Sequence, residues 1–133
     1  MKLNIVHNTN NNGLPGHLGG HQNETHIDDG ALTHLMNKFG IQSYLDVGCG
    51  PGGMVDLASS KGLKVLGVDG DFTLERSKPE NYLLHDYTAG PAPVEGIWDL
   101  GWSCEFLEHV SEQYMDNYMD TFKKCKRRSK STR

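Results

Sequence analysis

Residues 43–53 read SYLDVGCGPGG, a short apolar run followed directly by a turn that contains four glycines. Glycine lets the chain turn sharply after a strand and leaves no Cβ in the way of a ligand. Met54, Leu57 and Ala58 then fall on one face of a helix that ends near Gly62. A strand, a glycine turn and a helix in this order predict a helix N-terminus whose N–H groups point at whatever lies above the sheet.

The same unit repeats along the chain. Residues 63–69, LKVLGVD, predict a second strand that ends in Asp69, 19 residues after Gly50. An acid at this position suits the two hydroxyls of a ribose. Residues 81–86 and 97–103 predict a third and a fourth strand, with a short helical piece near Leu74 before the third. Near-continuous apolar strands that alternate with helices predict an α/β fold, a Rossmann-like parallel sheet with helices on both faces.

Residues 45–53 and 65–71, LDVGCGPGG and VLGVDGD, resemble the first two motifs of class I S-adenosylmethionine-dependent methyltransferases. His85, Asp86 and Tyr87 resemble the third motif, and residues 99–110, DLGWSCEFLEHV, resemble the fourth. The resemblance covers residues 42–125. It implies a methyltransferase with S-adenosyl-L-methionine as cofactor, which methylates a small-molecule or polymer acceptor that the sequence does not identify.

The resemblance also assigns residues to the cofactor. It places Asp46 at the amino-acid end, Asp69 at the ribose, and Asp86 with Tyr87 at the adenine. Trp102 is left open between the core and the place where cofactor and acceptor meet. The complete predicted cofactor-binding set is Asp46, Gly48, Cys49, Gly50, Gly52, Asp69, Gly70, Asp86, Tyr87 and Ser103.

Glu105, Glu108 and His109 lie at i, i+3 and i+4 on one predicted helix face. Some methyltransferases that act on hydroxyls use a similar set to hold a divalent ion, which would lower the pKa of the hydroxyl. The alternative is that these side chains make ordinary helix-end or loop contacts. No catalytic residue is assigned, although His109, Glu105 and His85 are candidate general bases.

The N-terminal segment contains four histidines at short intervals, His7, His17, His21 and His26. They are compatible with a metal site or with a lid over the substrate. We favour the lid, because no cysteine or paired carboxylate reinforces a metal site and binding residues concentrate in loops on a rigid scaffold.

Composition bounds the remaining possibilities. The chain has 133 residues, enough for one domain, and a formal net charge of −4. Residues 1–122 contain 6 basic and 17 acidic residues, a charge of −11, and residues 123–133 contain 7 basic residues and no acid. This distribution argues against a nucleic-acid-binding face. No apolar run could span or target a membrane, so we expect a cytoplasmic protein.

We divide the chain into a flexible N-terminal segment or lid (1–27), an S-adenosylmethionine-binding domain (28–126) and a basic tail (127–133). The domain should open with an amphipathic helix over residues 32–39, capped by Asp28 or Asp29 and ended by Gly40.

The last long helix is predicted over residues 104–126, and no apolar residue follows in 127–133. We therefore expect a sheet truncated after the fourth strand and its helix. The fourth strand would then be an open edge through which the chain self-associates or binds a partner chain. Two other functions stay open: an inactive remnant or binding module that keeps the cofactor pocket, and a nucleotide-dependent oxidoreductase.

Overall fold

Five strands and three α-helices make up the part of the chain that the computed structural model describes, residues 27–104 and 110–131. In chain order they are α1 (Asp29–Phe39), β1 (Ser43–Val47), α2 (Gly53–Ser60), β2 (Lys64–Asp69), β3 (Tyr82–Leu84), β4 (Trp98–Cys104), α3 (Met115–Phe122) and β5 (Cys125–Ser131). The strands form one sheet in the order β3-β2-β1-β4-β5, and every neighbouring pair is parallel. The predicted Rossmann-like α/β sheet is confirmed.

Strand β1 lies at the centre of the sheet, and all five of its residues are buried. Its side chains alternate between two cores. Tyr44 packs with the residues of α1 and α2 on one face, whereas Leu45 and Val47 pack with Tyr118 and Phe122 of α3 on the other. Burial on both faces explains why this strand reads as a nearly continuous apolar run.

Helix α1 has the predicted caps. The Asp28 carboxylate accepts a 3.0 Å hydrogen bond from the Ala31 N–H, and Gly40 ends the helix in the left-handed conformation with φ 63°. Asp29 lies in the first turn instead of at the cap, and its carboxylate contacts the Lys61 ammonium at 2.9 Å. This pair connects α1 to the residue that follows α2.

The predicted helical piece near Leu74 is wrong, because residues 70–78 form turns and bends. The Asp71 carboxylate accepts hydrogen bonds from the Thr73 N–H at 2.9 Å and from its hydroxyl at 2.5 Å. Such local side-chain bonds give the backbone an alternative to the helix. Pro79 follows shortly afterwards, and strand β3 is shorter than predicted.

The C-terminal prediction is also wrong. Cys104 is the last residue of β4, and the helix that follows is described only over α3. Beyond α3 the chain forms a fifth strand that pairs with β4 over seven residues. The sheet therefore does not stop after the fourth strand and its helix, residues 127–131 are not a tail, and β4 is not an open edge.

No apolar pattern in the sequence predicts β5, because only its first residue is buried and apolar. Cys125 lies in the core, whereas Lys126, Arg127 and Arg128 are exposed. Charged side chains are tolerated on an edge strand, where they also discourage further strand pairing. Among the described residues, no helix is long and apolar enough to cross a membrane.

Replacing Gly101 of β4 by alanine should lower the free energy of unfolding by about 1–3 kcal/mol, the usual cost of overpacking a filled core. A Cβ at this position would lie 2.7 Å from the Cys125 Sγ and 3.2 Å from a ring carbon of Phe122. Strand β5 or α3 must then shift. Urea unfolding of the purified chain measures the loss.

Gly30→Ala is the matched control, since a Cβ at Gly30 in α1 meets no atom within 4 Å. It should leave the free energy of unfolding unchanged or raise it by less than about 1 kcal/mol. Equal effects of the two substitutions would contradict the packing of β5 and α3 against β4.

Candidate functional site

The carboxyl ends of β1, β2 and β4 meet at one edge of the sheet. The strand order reverses here, because β2 and β3 lie on one side of β1, whereas β4, the next strand along the chain, lies on the other side. Ligands of open parallel sheets bind in the crevice at such a switch point. Asp46, Asp69 and Ser103 all lie near the carboxyl ends of their strands, and all three are buried.

The glycine turn between β1 and α2 requires its glycines. Gly48, Gly50 and Gly52 have φ values of 76°, 58° and 96°, which L side chains rarely adopt. The Gly48 N–H donates a 2.8 Å hydrogen bond to the Val68 carbonyl, which fastens the turn to β2. A Cβ at Gly52 would collide with the Tyr82 hydroxyl. The turn therefore requires glycine at these positions, because a side chain there would be strained or would clash.

Asp46 is 4% exposed, and its Oδ2 accepts a 2.9 Å hydrogen bond from the Tyr44 hydroxyl. It lies opposite Trp102 in the parallel register of β1 and β4. The Trp102 ring packs in the core beneath α1 and α2, with its centroid 6.1 Å from that of Tyr44. Trp102 is thus a core residue by its packing.

Two buried polar atoms have no hydrogen-bond partner among the described residues, the Trp102 Nε1 and the Ser103 Oγ. Both residues are 1% exposed. Buried polar atoms are nearly always paired, so each unpaired one needs an explanation. Ser103 lies near the end of β4, beside the switch point, and its assignment to the cofactor site stays a prediction.

Asp69, at the end of β2, is 5% exposed. Its Oδ2 accepts hydrogen bonds of 3.1 Å from the Asp71 N–H and from the Arg76 Nη2. Gly70 forms the half-buried bend that follows. The Arg76 side chain is 6% exposed, and it also donates to the Gly50 carbonyl. The structure thus joins the predicted acid to the predicted turn through a residue that the sequence analysis did not identify.

Asp86 and Tyr87 follow β3. The His85 N–H donates to the Asp69 carbonyl at 2.9 Å, which brings this segment beside β2. The Asp86 Oδ1 accepts hydrogen bonds from the Thr88 N–H at 2.9 Å and from its hydroxyl at 2.7 Å. Asp86 therefore lies at the same edge as Asp69, and its assignment to adenine stays a prediction.

Tyr87 faces the core beneath α3. Its hydroxyl lies 2.7 Å from the Thr121 hydroxyl, and its ring stacks on Tyr118 with centroids 4.1 Å apart. The side chain of this predicted adenine contact is thus used for packing. Burial, followed by the charges of Asp86 and Asp69, raises the pKa of Tyr118 to about 12. Tyr118 lies within the helix predicted over residues 104–126 and carries no predicted role in the site, yet the charges of both carboxylates act on its phenol.

Two other predicted groups have defined environments. The His85 Nε2 lies 2.8 Å from the Gly90 carbonyl, and since a carbonyl only accepts, this contact requires a proton on Nε2. Cys49 is buried in the glycine turn. Burial, and then the charges of Asp46 and Asp69, raise the pKa of its thiol well above the ordinary value. Cys49 is therefore a neutral packing residue and not a nucleophile at pH 7.

Both predicted metal clusters fall outside the described residues: Glu105, Glu108 and His109 in one case, and the N-terminal histidines in the other. Within residues 27–104 and 110–131, no group of three or more His, Cys, Asp or Glu side chains could hold a metal ion.

Comparisons with known proteins agree on one family. A family model described as "Methyltransferase domain" matches residues 45–132. A malonyl-[acyl-carrier protein] O-methyltransferase from Salmonella typhimurium is 34% identical over 85 residues, which are 60% of this chain and 33% of that protein. The chain therefore spans only a third of that curated relative. The crystal structure of the methyltransferase domain of bacterial-CtHen1-CN superposes with a TM-score of 0.54 at 18% identity, covering 70% of this chain and 56% of that one. This second likeness shows a shared fold.

Alkaline pH should destabilise the protein through its buried thiols. Burial raises the pKa of Cys125 from 9.0 to about 11, and the pKa of Cys49 shifts in the same direction. Above pH 9 the unfolded chain then binds fewer protons than the folded chain, so the free energy of unfolding falls as pH rises. We expect Cys125 to contribute a loss of up to about 2 kcal/mol between pH 9 and 11.

Urea unfolding in reducing buffer at several pH values measures this slope. The Cys49→Ala/Cys125→Ala double variant should show a shallower decline, whatever its stability at pH 7. The same slope in both proteins would contradict the burial of the two thiols.

Proposed function

The chain belongs to the methyltransferase-domain family, and from this premise we propose that it binds S-adenosyl-L-methionine and transfers a methyl group to an acceptor. The observation that carries the proposal is a pair of buried carboxylates, Asp46 and Asp69, on neighbouring strands beside a glycine turn. Burying carboxylates is costly unless charge or hydrogen bonding compensates. Tyr44 and Arg76 already compensate part of this cost, and the position of the two acids at the switch point of the sheet suits a ligand that donates further hydrogen bonds.

The chemistry of these residues fits S-adenosylmethionine. A carboxylate such as Asp46 accepts strong, charge-assisted hydrogen bonds from an ammonium group. Asp69 has the position from which acids of related sheets accept bonds from ribose hydroxyls. The positive-φ glycines allow a ligand to approach the backbone closely. Asp46, Asp69 and Arg76 together carry one net negative charge, which favours a cationic ligand because charges attract strongly where water is excluded.

Ser103 supports the same site from the opposite side of β1. Ser103 is 1% exposed, and its hydroxyl has no partner among the described residues. A polar group of a bound ligand would satisfy it. We propose that Ser103 contacts cofactor or acceptor where the two meet, whereas Trp102 supports this position from the core.

When bound beside Asp46, Asp69 and the glycine turn, S-adenosylmethionine would supply an electrophilic methyl group, with S-adenosylhomocysteine as the leaving group. The protein's task is to orient the two reactants and exclude water. An acceptor that must lose a proton also needs a base. The acceptor class to test first is an oxygen, because the Salmonella relative is named an O-methyltransferase.

Calorimetry should show that the chain binds S-adenosylmethionine and not NAD. Asp69→Asn should weaken the binding by about 1–3 kcal/mol, or roughly 5–150-fold, because charge-assisted hydrogen bonds to the ribose are lost. This variant keeps the shape of the side chain, so the comparison isolates the charge.

Asp99→Asn is the control. Asp99 lies near the other end of β4, where its carboxylate accepts from the Gln42 N–H at 2.8 Å and pairs with Lys126 at 3.4 Å. It should bind the cofactor like the original chain. Affinity for NAD alone would overturn the proposal, and cofactor binding without transfer to any acceptor would favour the binding-module alternative.

A further inference from the structure

Arg76 is a buried cation that no sequence motif identifies. It lies between β2 and β3, and its side chain is 6% exposed. Four hydrogen bonds hold the guanidinium. Nε and Nη2 donate to the Gly50 carbonyl at 3.1 and 2.9 Å, Nη1 donates to the Asp71 carbonyl at 3.2 Å, and Nη2 donates to the Asp69 carboxylate at 3.1 Å. One side chain therefore joins the glycine turn, the acid at the end of β2 and the bend that follows it.

An aromatic ring supports the guanidinium. The Arg76 Cζ lies 5.3 Å from the centroid of the Tyr82 ring, within the range of a cation–π contact. The Tyr82 hydroxyl in turn lies 3.2 Å from the Gly52 carbonyl and 3.1 Å from the Asp56 carboxylate. The support thus rests on the same glycine turn and on α2.

The use of its donors argues against Arg76 as a ligand-binding residue. A guanidinium has five N–H groups, and the described contacts occupy four of them with protein oxygens. The two parallel bonds by which arginine grips a phosphate could form only by breaking one of these contacts. Stability alone is also a weak explanation, because a buried ion pair can often be replaced by apolar side chains without loss.

We propose that Arg76 is a positioning residue of the cofactor site, which is anchored on the Gly50 carbonyl and fixes the Asp69 carboxylate in the arrangement that recognises the ribose. The planar fork of arginine suits this task, since it bonds several oxygens at fixed angles, whereas lysine offers a single charged point. Groups held in advance lose less freedom when a ligand binds. This inference rests on the proposed function, because Asp69 must be the ribose ligand for Arg76 to act through it.

The test is calorimetry of the full chain with S-adenosylhomocysteine and with its 2′-deoxy analogue. Arg76→Gln should weaken S-adenosylhomocysteine binding about tenfold or more, and the same substitution in an Asp69→Asn background should change it less than about twofold, because the two residues act as one unit. The 2′-deoxy analogue should lose much less affinity on Arg76→Gln, since it lacks one of the hydroxyls that Asp69 would hold. Lys78→Gln, which removes an exposed charge from the same loop, should bind both ligands like the original chain.

A merely structural role would weaken both ligands equally and would persist in the Asp69→Asn background, and either result would overturn the proposal. If Arg76→Gln does not melt cooperatively, Arg76→Lys takes its place in the same comparison of the two ligands. It should weaken S-adenosylhomocysteine several-fold and the 2′-deoxy analogue little, and equal losses would overturn the positioning role. If the original chain binds no S-adenosylhomocysteine, the proposed function fails and the role of Arg76 fails with it. Normal binding by the original chain with no effect of either substitution removes only the role of Arg76.

Discussion

The hydrogen bond from the Gly48 N–H to the Val68 carbonyl, 2.8 Å long, is the contact on which the candidate site depends. The positive φ of Gly48, which glycine tolerates, then brings the Cys49 N–H to the same carbonyl at 3.3 Å. These contacts with the Val68 carbonyl hold the glycine turn beside the end of β2 before α2 begins. Asp46 and Asp69 are thereby held on adjacent strands, with the glycine turn beside both. Asp46, Asp69 and the glycine turn together form what we call the carboxylate corner, in which both acids are buried.

The local part of this arrangement could be predicted from sequence. A buried strand, a positive-φ turn and an amphipathic helix each have a short-range pattern, and so β1, α2, β2 and the positions of Asp46 and Asp69 agree with expectation. The stretch after Asp69 could not be predicted in this way. There the contacts of Asp71 with Thr73, and of Arg76 with Gly50 some 26 residues earlier, override a weak helical pattern. Strand β5 could not be predicted because six of its seven residues are polar or charged, and its place in the sheet comes from its pairing with β4.

Electrostatics explains why the corner needs a buried cation. Among the ion pairs between described residues, that of Arg76 with Asp69 is the one with both side chains less than 10% exposed. Removing two charges from water is expensive, and their attraction repays it only with good geometry and further hydrogen bonds. Arg76 meets that condition through Gly50 and Asp71. A chain that keeps such a pair at the end of a strand gains a defined orientation of the carboxylate more than it gains stability.

Helix α3 packs on the face of the sheet opposite α1 and α2, and its residues contact the segment that follows β3. Asn117 donates a 2.7 Å hydrogen bond to the Tyr87 carbonyl, and the Tyr87 ring stacks on Tyr118. The Tyr118 phenol is close enough to Asp69 for that carboxylate to raise its pKa. Helix α3 is in turn held where Phe122 packs beside Cys125, the first residue of β5. Strand β5 therefore contributes to the site indirectly, because it packs against α3, and α3 carries Tyr118, whose phenol is affected by the charges of Asp86 and Asp69.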